Sequence, residues 1–168
     1  IVTDPWFSKS GAFQSSWFQF PDNTDIDFSW KEELDYVCIS HEHQDHFDLQ
    51  FLKTLNSKTK IVIPDYHHKR FYNSIKENLP NDIIEVQSRK KFMLGDVEYY
   101  PLIQVPMGQD DAALIFRIGD EVVVDTNDMK PSENDIKWIN KNFDTTYLFT
   151  QFSGASWYPL VVKRQTNF

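Results

Sequence analysis

The chain has 168 residues and a mass of 19.9 kDa, and its 40% apolar and 15% aromatic content excludes a disordered polymer. Seventeen Lys and Arg against 25 Asp and Glu leave a net charge of −8, which argues against a nucleic-acid backbone as partner. No apolar stretch approaches the ~20 residues of a membrane-spanning helix, and no charged-then-apolar leader opens the chain.

In chain order, Val2-Thr3-Asp4-Pro5-Trp6-Phe7 reads as the end of a strand running into a turn. The chain starts on it without Met, so a partial domain, truncated at one or both ends, is expected over residues 1–168. Trp6, Phe13, Trp17 and Phe18 either line the mouth of a pocket or belong to the core. Short runs rich in β-branched and aromatic residues then recur as predicted strands: Tyr36 to Ile39, Ile61 to Ile63, Ile83 to Val86, Val97 to Val105, Ala113 to Ile118, Val122 to Val124 and Thr146 to Phe152. Gly95-Asp96 and Gly119-Asp120 sit between such runs and predict antiparallel hairpins.

Three helices are expected between the strands. One begins near Phe47, with Phe51, Leu52 and Leu55 on its apolar stripe and Asp45 or Asp48 as cap. A second runs from about Tyr66 to Leu79, with His67-His68 in its first turn as a surface pair and Pro80 ending it. The third follows Pro131, with Ser132 as N-cap, Asp135 completing a capping box, and Ile136, Ile139 and Phe143 forming the buried face. Strands alternating with helices, with no linker or repeat between them, predict an α/β domain. The lone cysteine, Cys38, lies in an apolar run, reads as a buried inert thiol and fits a reducing cytoplasm. Arg89-Lys90-Lys91 reads as a solvated turn.

The segment Ser40-His41-Glu42-His43-Gln44-Asp45-His46 carries three of the five histidines in the chain. Neighbouring imidazoles repel when protonated and pack poorly when neutral, so a shared metal ion is the physical reason to gather them. The loop beyond a strand end is where such side chains can converge without disturbing a core. Imidazole with carboxylate suits zinc, and also iron or manganese. A zincin helix is excluded because Asp45, not His, stands four residues after His41, and a zinc finger is excluded by the single cysteine. The bland alternative is a solvated polar loop capping a helix.

His41-x-His43-x-Asp45-His46 after an apolar strand resembles the metal motif of the metallo-β-lactamase superfamily, which implies a four-layer αβ/βα sandwich. Two further landmarks fall in order. Asp4-Pro5-Trp6-Phe7 resembles the strand-ending turn of the lactonase-like branch, and Asp125-Thr126 after Val122-Val123-Val124 is similar to the family's metal-bridging aspartate. The family pattern also has a histidine between the cluster and that aspartate, but none follows His68 here; the corresponding stretch offers Met107, Gln109, Asp110 and Asp111. Asp128 competes with Asp125 for the bridging role, and Asp4 either orients a metal-bound histidine or is a plain turn residue. The early aromatic segment, Asp125-Thr126-Asn127-Asp128 and Phe152 to Pro159 together resemble the metallo-β-lactamase-like part of CMP-N-acetylneuraminate hydroxylase. That family carries a Rieske centre, which needs two Cys and two His and cannot be built from one cysteine.

The expected activity is hydrolysis of an ester, lactone, amide or phosphodiester bond in a small-molecule substrate, with His41, His43, Asp45, His46 and Asp125 holding one or two divalent ions. Zinc stands first, and Asp45 holds or deprotonates the attacking water. Two rivals remain open: the hydrolase-like module of a Rieske-type CMP-sugar hydroxylase, served by a Rieske-type redox partner or domain, and a degenerate metal-binding domain without catalysis. In the tight-turn alternative to a ligand-binding loop at Ser153, Gly154 and Ser156, Trp157 and Tyr158 pack down.

Overall fold

The computed structural model describes residues 1–104 and 110–151. Val105, Met107, Gln109 and the segment from Phe152 onward, with its Ser153, Gly154, Ser156, Trp157 and Tyr158, lie outside the described residues. The first sheet is parallel and four-stranded, in the order β1 (Val2–Thr3), β2 (Tyr36–Cys38), β3 (Lys60–Pro64), β4 (Ile83–Val86). Its crossovers carry α1 (Leu49–Leu52) and α2 (Arg70–Asn78). The second sheet has five strands in sequence order: β5 (Phe92–Leu94), β6 (Val97–Ile103), β7 (Ala112–Ile118), β8 (Glu121–Asp125) and β9 (Tyr147–Phe149). Its first three pairings are antiparallel, including both hairpins the Gly-Asp pairs predict. β8 and β9 run parallel, joined through α3 (Glu133–Asn142).

Strand periodicity explains the layering. Val37, Ile39, Ile61 and Ile63 point to one face of the first sheet and pack with Phe47, Phe51, Leu52, Phe71 and Ile75 from the α1 and α2 region. Cys38 and Val62, on the opposite face, meet Tyr99, Leu114 and Phe116 of the second sheet. Ala113, Ile115, Val122 and Val124 then face outward to Ile139 and Phe143 beside α3. Helices, sheet, sheet and helix thus form the four-layer sandwich that the resemblance implies. Cys38 is fully buried, and burial pushes its thiol far up, as expected of an inert core cysteine.

Three helix expectations need correction. α1 contracts to four residues, capped by Asp48, whose side chain accepts from the Phe51 N–H. α2 starts at Arg70 rather than near Tyr66, because Tyr66 donates its hydroxyl to the Ser40 carbonyl instead of joining a helical stripe. His67 and His68 therefore lie in the bend before α2, exposed, with their rings against each other. α3 has the full capping box between Ser132 and Asp135, but Ile136 is 47% exposed; Trp138 packs against the cluster with Ile139 and Phe143 in its place. A short 3-10 turn, Ser29–Glu33, has no counterpart in the sequence reading.

Candidate metal centre

The topology brings four chain ends to one edge of the sandwich. Asp4 follows β1, residues 40–46 follow β2, and Asp125 ends β8 with Asp128 just beyond it. Because β7 runs antiparallel to β8, its start, with Asp111 just before Ala112, meets the end of β8 at the same edge. The loop after β2 then folds back, as the backbone N–H groups of His46 and Phe47 both donate to the His43 carbonyl.

Among the described residues two trios of ligand atoms converge there, each within 4.8 Å and both containing His41: His41, His43 and Asp111, and His41, His46 and Asp128. His41 Nε2 lies 2.8 Å from His43 Nδ1, 3.8 Å from Asp111 Oδ1 and 3.9 Å from Asp128 Oδ2. His46 Nε2 lies 3.7 Å from Asp45 Oδ2 and from Asp128 Oδ2. Two donors on one zinc-like ion sit roughly 3.0–3.5 Å apart, given bonds of about 2.1 Å, so small movements would close these sets on a cation. Asp45 Oδ1 is buried with no hydrogen-bond partner among the described residues, which suits a carboxylate that would ligate a cation.

Asp4 sets the histidine tautomers. Its carboxylate accepts from the Ser40 N–H at 2.7 Å, from the Ser40 hydroxyl at 2.6 Å and from His46 Nδ1 at 2.9 Å. The Ser40 hydroxyl has given its single proton to Asp4, so the 2.9 Å contact with His41 Nδ1 places the ring proton on Nδ1. This turns the Nε2 lone pair of His41 toward the trios, where it meets His43 Nδ1, and would turn that of His46 the same way once its second proton is displaced. Asp4 is thus an orienting residue rather than a plain turn residue, acting on His46 directly and on His41 through Ser40. Tyr66 completes this support by donating to the Ser40 carbonyl.

The electrostatics are those of imidazoles and carboxylates crowded into a half-buried cluster. Burial, with His46 and His43 adding repulsion, pushes His41 down to about 2, so it is neutral at physiological pH. Burial also opposes charge on His46, but the hydrogen bond and charge of Asp4, helped by Asp45 and Asp128, outweigh it and push His46 up to about 9. Asp111 and Asp125 are both raised, first by burial and then by neighbouring carboxylates.

Of the residues the sequence singles out, His41, His43, Asp45 and His46 stand together, and Asp125 lines the same cleft as Asp45 and His46. Asp125 is outside both trios, its Oδ1 accepting from the Asn127 N–H at 3.0 Å. Asp128, its competitor, reaches both His41 and His46. Asp111 takes the place beside His41 and His43 for which the family pattern has a histidine. Ser40 and Tyr66 were missed; a polar residue directly preceding His41 at a strand end was the available signal for Ser40. His67 and His68 belong to neither trio.

No family model matches the chain. Among solved structures, a metallo-β-lactamase fold protein from Bacillus subtilis, YhfI, superposes with a TM-score of 0.52 at 22% identity, covering 72% of this chain and 51% of its own. The chain has the metallo-β-lactamase fold. An isothiocyanate hydrolase from Delia radicum gut bacteria shares this arrangement with a TM-score of 0.63 at 14% identity, over 87% of this chain and 62% of its own. CmlA, a diiron β-hydroxylase from Streptomyces venezuelae, does so with a TM-score of 0.58 at 17% identity, over 87% of this chain and 30% of its own. By sequence, the chain is 30% identical over 171 residues to a Mycobacterium tuberculosis protein whose name assigns it, provisionally, as a Rieske 2Fe-2S iron-sulfur protein. That match takes in 96% of this chain and 32% of the relative, so the chain spans about a third of the length of the curated relatives it matches. Among the described residues no helix is long and apolar enough to cross a membrane.

Proposed function

We propose that this chain carries the metal centre of a metal-dependent enzyme, and that the reaction is hydrolysis of an ester, lactone, amide or phosphodiester bond in a small molecule. The observation that carries the proposal is the convergence of His41, His43, His46, Asp111 and Asp128 into two trios sharing His41. These residues, with Asp45 and Asp125 from the same cleft, would hold one or two divalent ions, zinc foremost and iron or manganese as alternatives. A divalent ion bound here would lower the pKa of a coordinated water to about 7 and polarise the scissile bond. Asp45, with an unpartnered buried oxygen, accepts the proton of the attacking water. Ser40 and Asp4 hold the His41 and His46 rings with their lone pairs inward through the reaction.

A second reading, hydroxylation, is favoured by two observations. Both trios consist of two imidazoles and one carboxylate, the donor set of non-haem iron oxygenases. The mycobacterial relative carries a Rieske name and is three times the length of the matched region, so a redox domain outside this chain would supply electrons.

Metal analysis tests the common part. Stoichiometric zinc, iron or manganese, lost on His43→Ala, is expected; protein that retains none, or retention unchanged by that substitution, removes the basis for both readings. Zinc-loaded protein that hydrolyses aryl esters, lactones or phosphodiesters supports the first. A flat screen, with O2 consumption by the iron-loaded protein supplied with a Rieske-type electron donor, supports the second.

A further inference from the structure

The segment just after β1 is uncharged from Ser10 to Phe20 and exposes four large aromatic side chains: Phe13, Trp17, Phe18 and Phe20. Phe20 is 99% exposed, and Trp17 and Phe18 are more than half exposed. Leaving such rings in water forfeits burial that stabilises by roughly 1.5–3 kcal/mol each, so a sequence that displays them together has a use for the surface.

The segment is also pinned rather than loose. Ala12 and Trp17 exchange backbone hydrogen bonds in a small hairpin, whose tip holds Phe13, Gln14 and Ser15 at positive φ. Gly11 enters the hairpin at φ +67°, where a Cβ would stand 2.3 Å from the Trp17 carbonyl oxygen, so no other residue fits. Gln44, from within the histidine loop, accepts from the Phe13 N–H at 2.6 Å, and Gln19 donates to the Trp6 and Ser8 carbonyls. The aromatic hairpin is therefore tethered to the loop that carries His41, His43 and His46.

It stands at the mouth of the centre. The Phe13 ring meets the His43 ring edge-on, with centroids 6.2 Å apart. Phe20 lines a cleft of about 520 Å³ together with Trp6, Asp45, His46 and Asp125. Among the described residues no Lys or Arg lines this cleft, while Asp4, Asp45 and Asp125 do. Bound ions would compensate these carboxylates without leaving a surplus of positive charge for an anionic group.

We propose that the hairpin of residues 11–20 is a substrate-binding lip, on which Phe13, Trp17 and Phe20 take an uncharged aromatic or apolar portion of the substrate whose reacting group lies at the metal centre. The inference rests on the metal reading above and holds for hydrolysis and for hydroxylation alike. Continuity with the centre favours the substrate over a second protein as occupant, since Phe13 meets His43, Phe20 walls the cleft, and Trp17 packs on Phe13.

Hydroxamates provide the test, because acetohydroxamate, benzohydroxamate and 4-carboxybenzohydroxamate share one metal-chelating head and differ only in the tail. Calorimetric titration of the zinc-loaded protein is expected to show benzohydroxamate binding about tenfold more tightly than either of the others. Phe20→Ala and Trp17→Ala, both at exposed positions outside the ligand set, should remove that preference while leaving acetohydroxamate affinity unchanged. Equal affinities for all three probes would overturn the lip and leave the metal centre standing. Absence of binding by all three from protein that holds no zinc would overturn the metal reading and the lip with it. Variants that keep the aryl preference but lose self-association in sedimentation would reassign the hairpin to protein docking, again overturning the proposal.

Discussion

Replacing Asp4 with Asn is the sharpest perturbation of the proposed centre, because it removes one negative charge and one acceptor without altering size. Asn tolerates the left-handed backbone of this position, φ 39°, so the turn after β1 should survive. The carboxylate now accepts three hydrogen bonds, from the Ser40 N–H, the Ser40 hydroxyl and His46 Nδ1, at 2.6–2.9 Å. An amide that keeps its oxygen on the Ser40 N–H presents NH2 to the other two. The His46 ring must then accept at Nδ1, which moves its proton to Nε2, the atom facing Asp45 and Asp128. Disruption of such an orienting partner typically weakens metal binding by about 10- to 100-fold, equivalent to about 1.4–2.7 kcal/mol. Zinc affinity by competition with a chromophoric chelator measures this, with circular dichroism as the control for folding. In metal-free protein the His46 imidazole should titrate near 9 and fall in the variant, since Asp4 is the main partner that raises it. A metal must displace that proton, so wild-type affinity should rise with pH up to about 9 and this slope should flatten in the variant. A folded Asp4→Asn protein that binds zinc within twofold of wild type would refute the tautomer argument.

The remaining predictions concern ligand choice and stability. Asp128→Asn should lower zinc affinity more than Asp125→Asn, because Asp128 reaches both His41 and His46 while Asp125 belongs to neither trio; the reverse order, measured by the same competition, would return the bridging role to Asp125. Tyr99→Phe should raise stability by about 1 kcal/mol in urea denaturation, since the Tyr99 hydroxyl is fully buried with no partner among the described residues; a loss of stability would show that the hydroxyl is satisfied. Arg89→Met should destabilise at neutral pH and do so less in acid. Burial opposes the charge on Asp135, but Ser132 and Arg89 outweigh it and hold the carboxyl below its ordinary value. Its contribution is therefore present above about pH 3.9 and is lost as pH falls through the lower folded value. Urea midpoints for the two proteins that stay equally separated down to pH 2 would contradict this.

What could be read from residues alone divides along the range of the forces involved. Most strands of both sheets were legible because local apolar runs such as Val37-Cys38-Ile39 and Ala113-Leu114-Ile115, buried on both faces, stand out from their polar flanks, while the layer each side chain enters was not legible. The capping box at Ser132 and Asp135 was legible for the same reason, since both partners lie within one turn. The start of α2 was not, because the interaction that keeps Tyr66 out of the helix is with Ser40, 26 residues away. Ile136 sits at helical spacing from Ile139, yet α3 turns it outward and uses Trp138, a choice made by the facing sheet.

The site follows the same division and shows why a motif can be specific yet incomplete. His41, His43, Asp45 and His46 are close in sequence, so one turn of loop suffices to gather them. Asp111 and Asp128 come to the same atoms only because β7 pairs antiparallel with β8, so that β7 begins and β8 ends at the edge where β2 ends. The family pattern has a histidine in the intervening stretch, and in this chain the fold brings the Asp111 carboxylate beside His41 and His43. Exchanging a neutral imidazole for a carboxylate adds negative charge beside His41 and His43, and burial already raises Asp111. A divalent cation held there would offset that charge, and a harder donor set would favour iron or manganese more than an all-imidazole site would. Asp111→His should shift the preference of the centre from iron toward zinc when the two compete in one sample, and an unchanged preference would separate the choice of metal from this substitution.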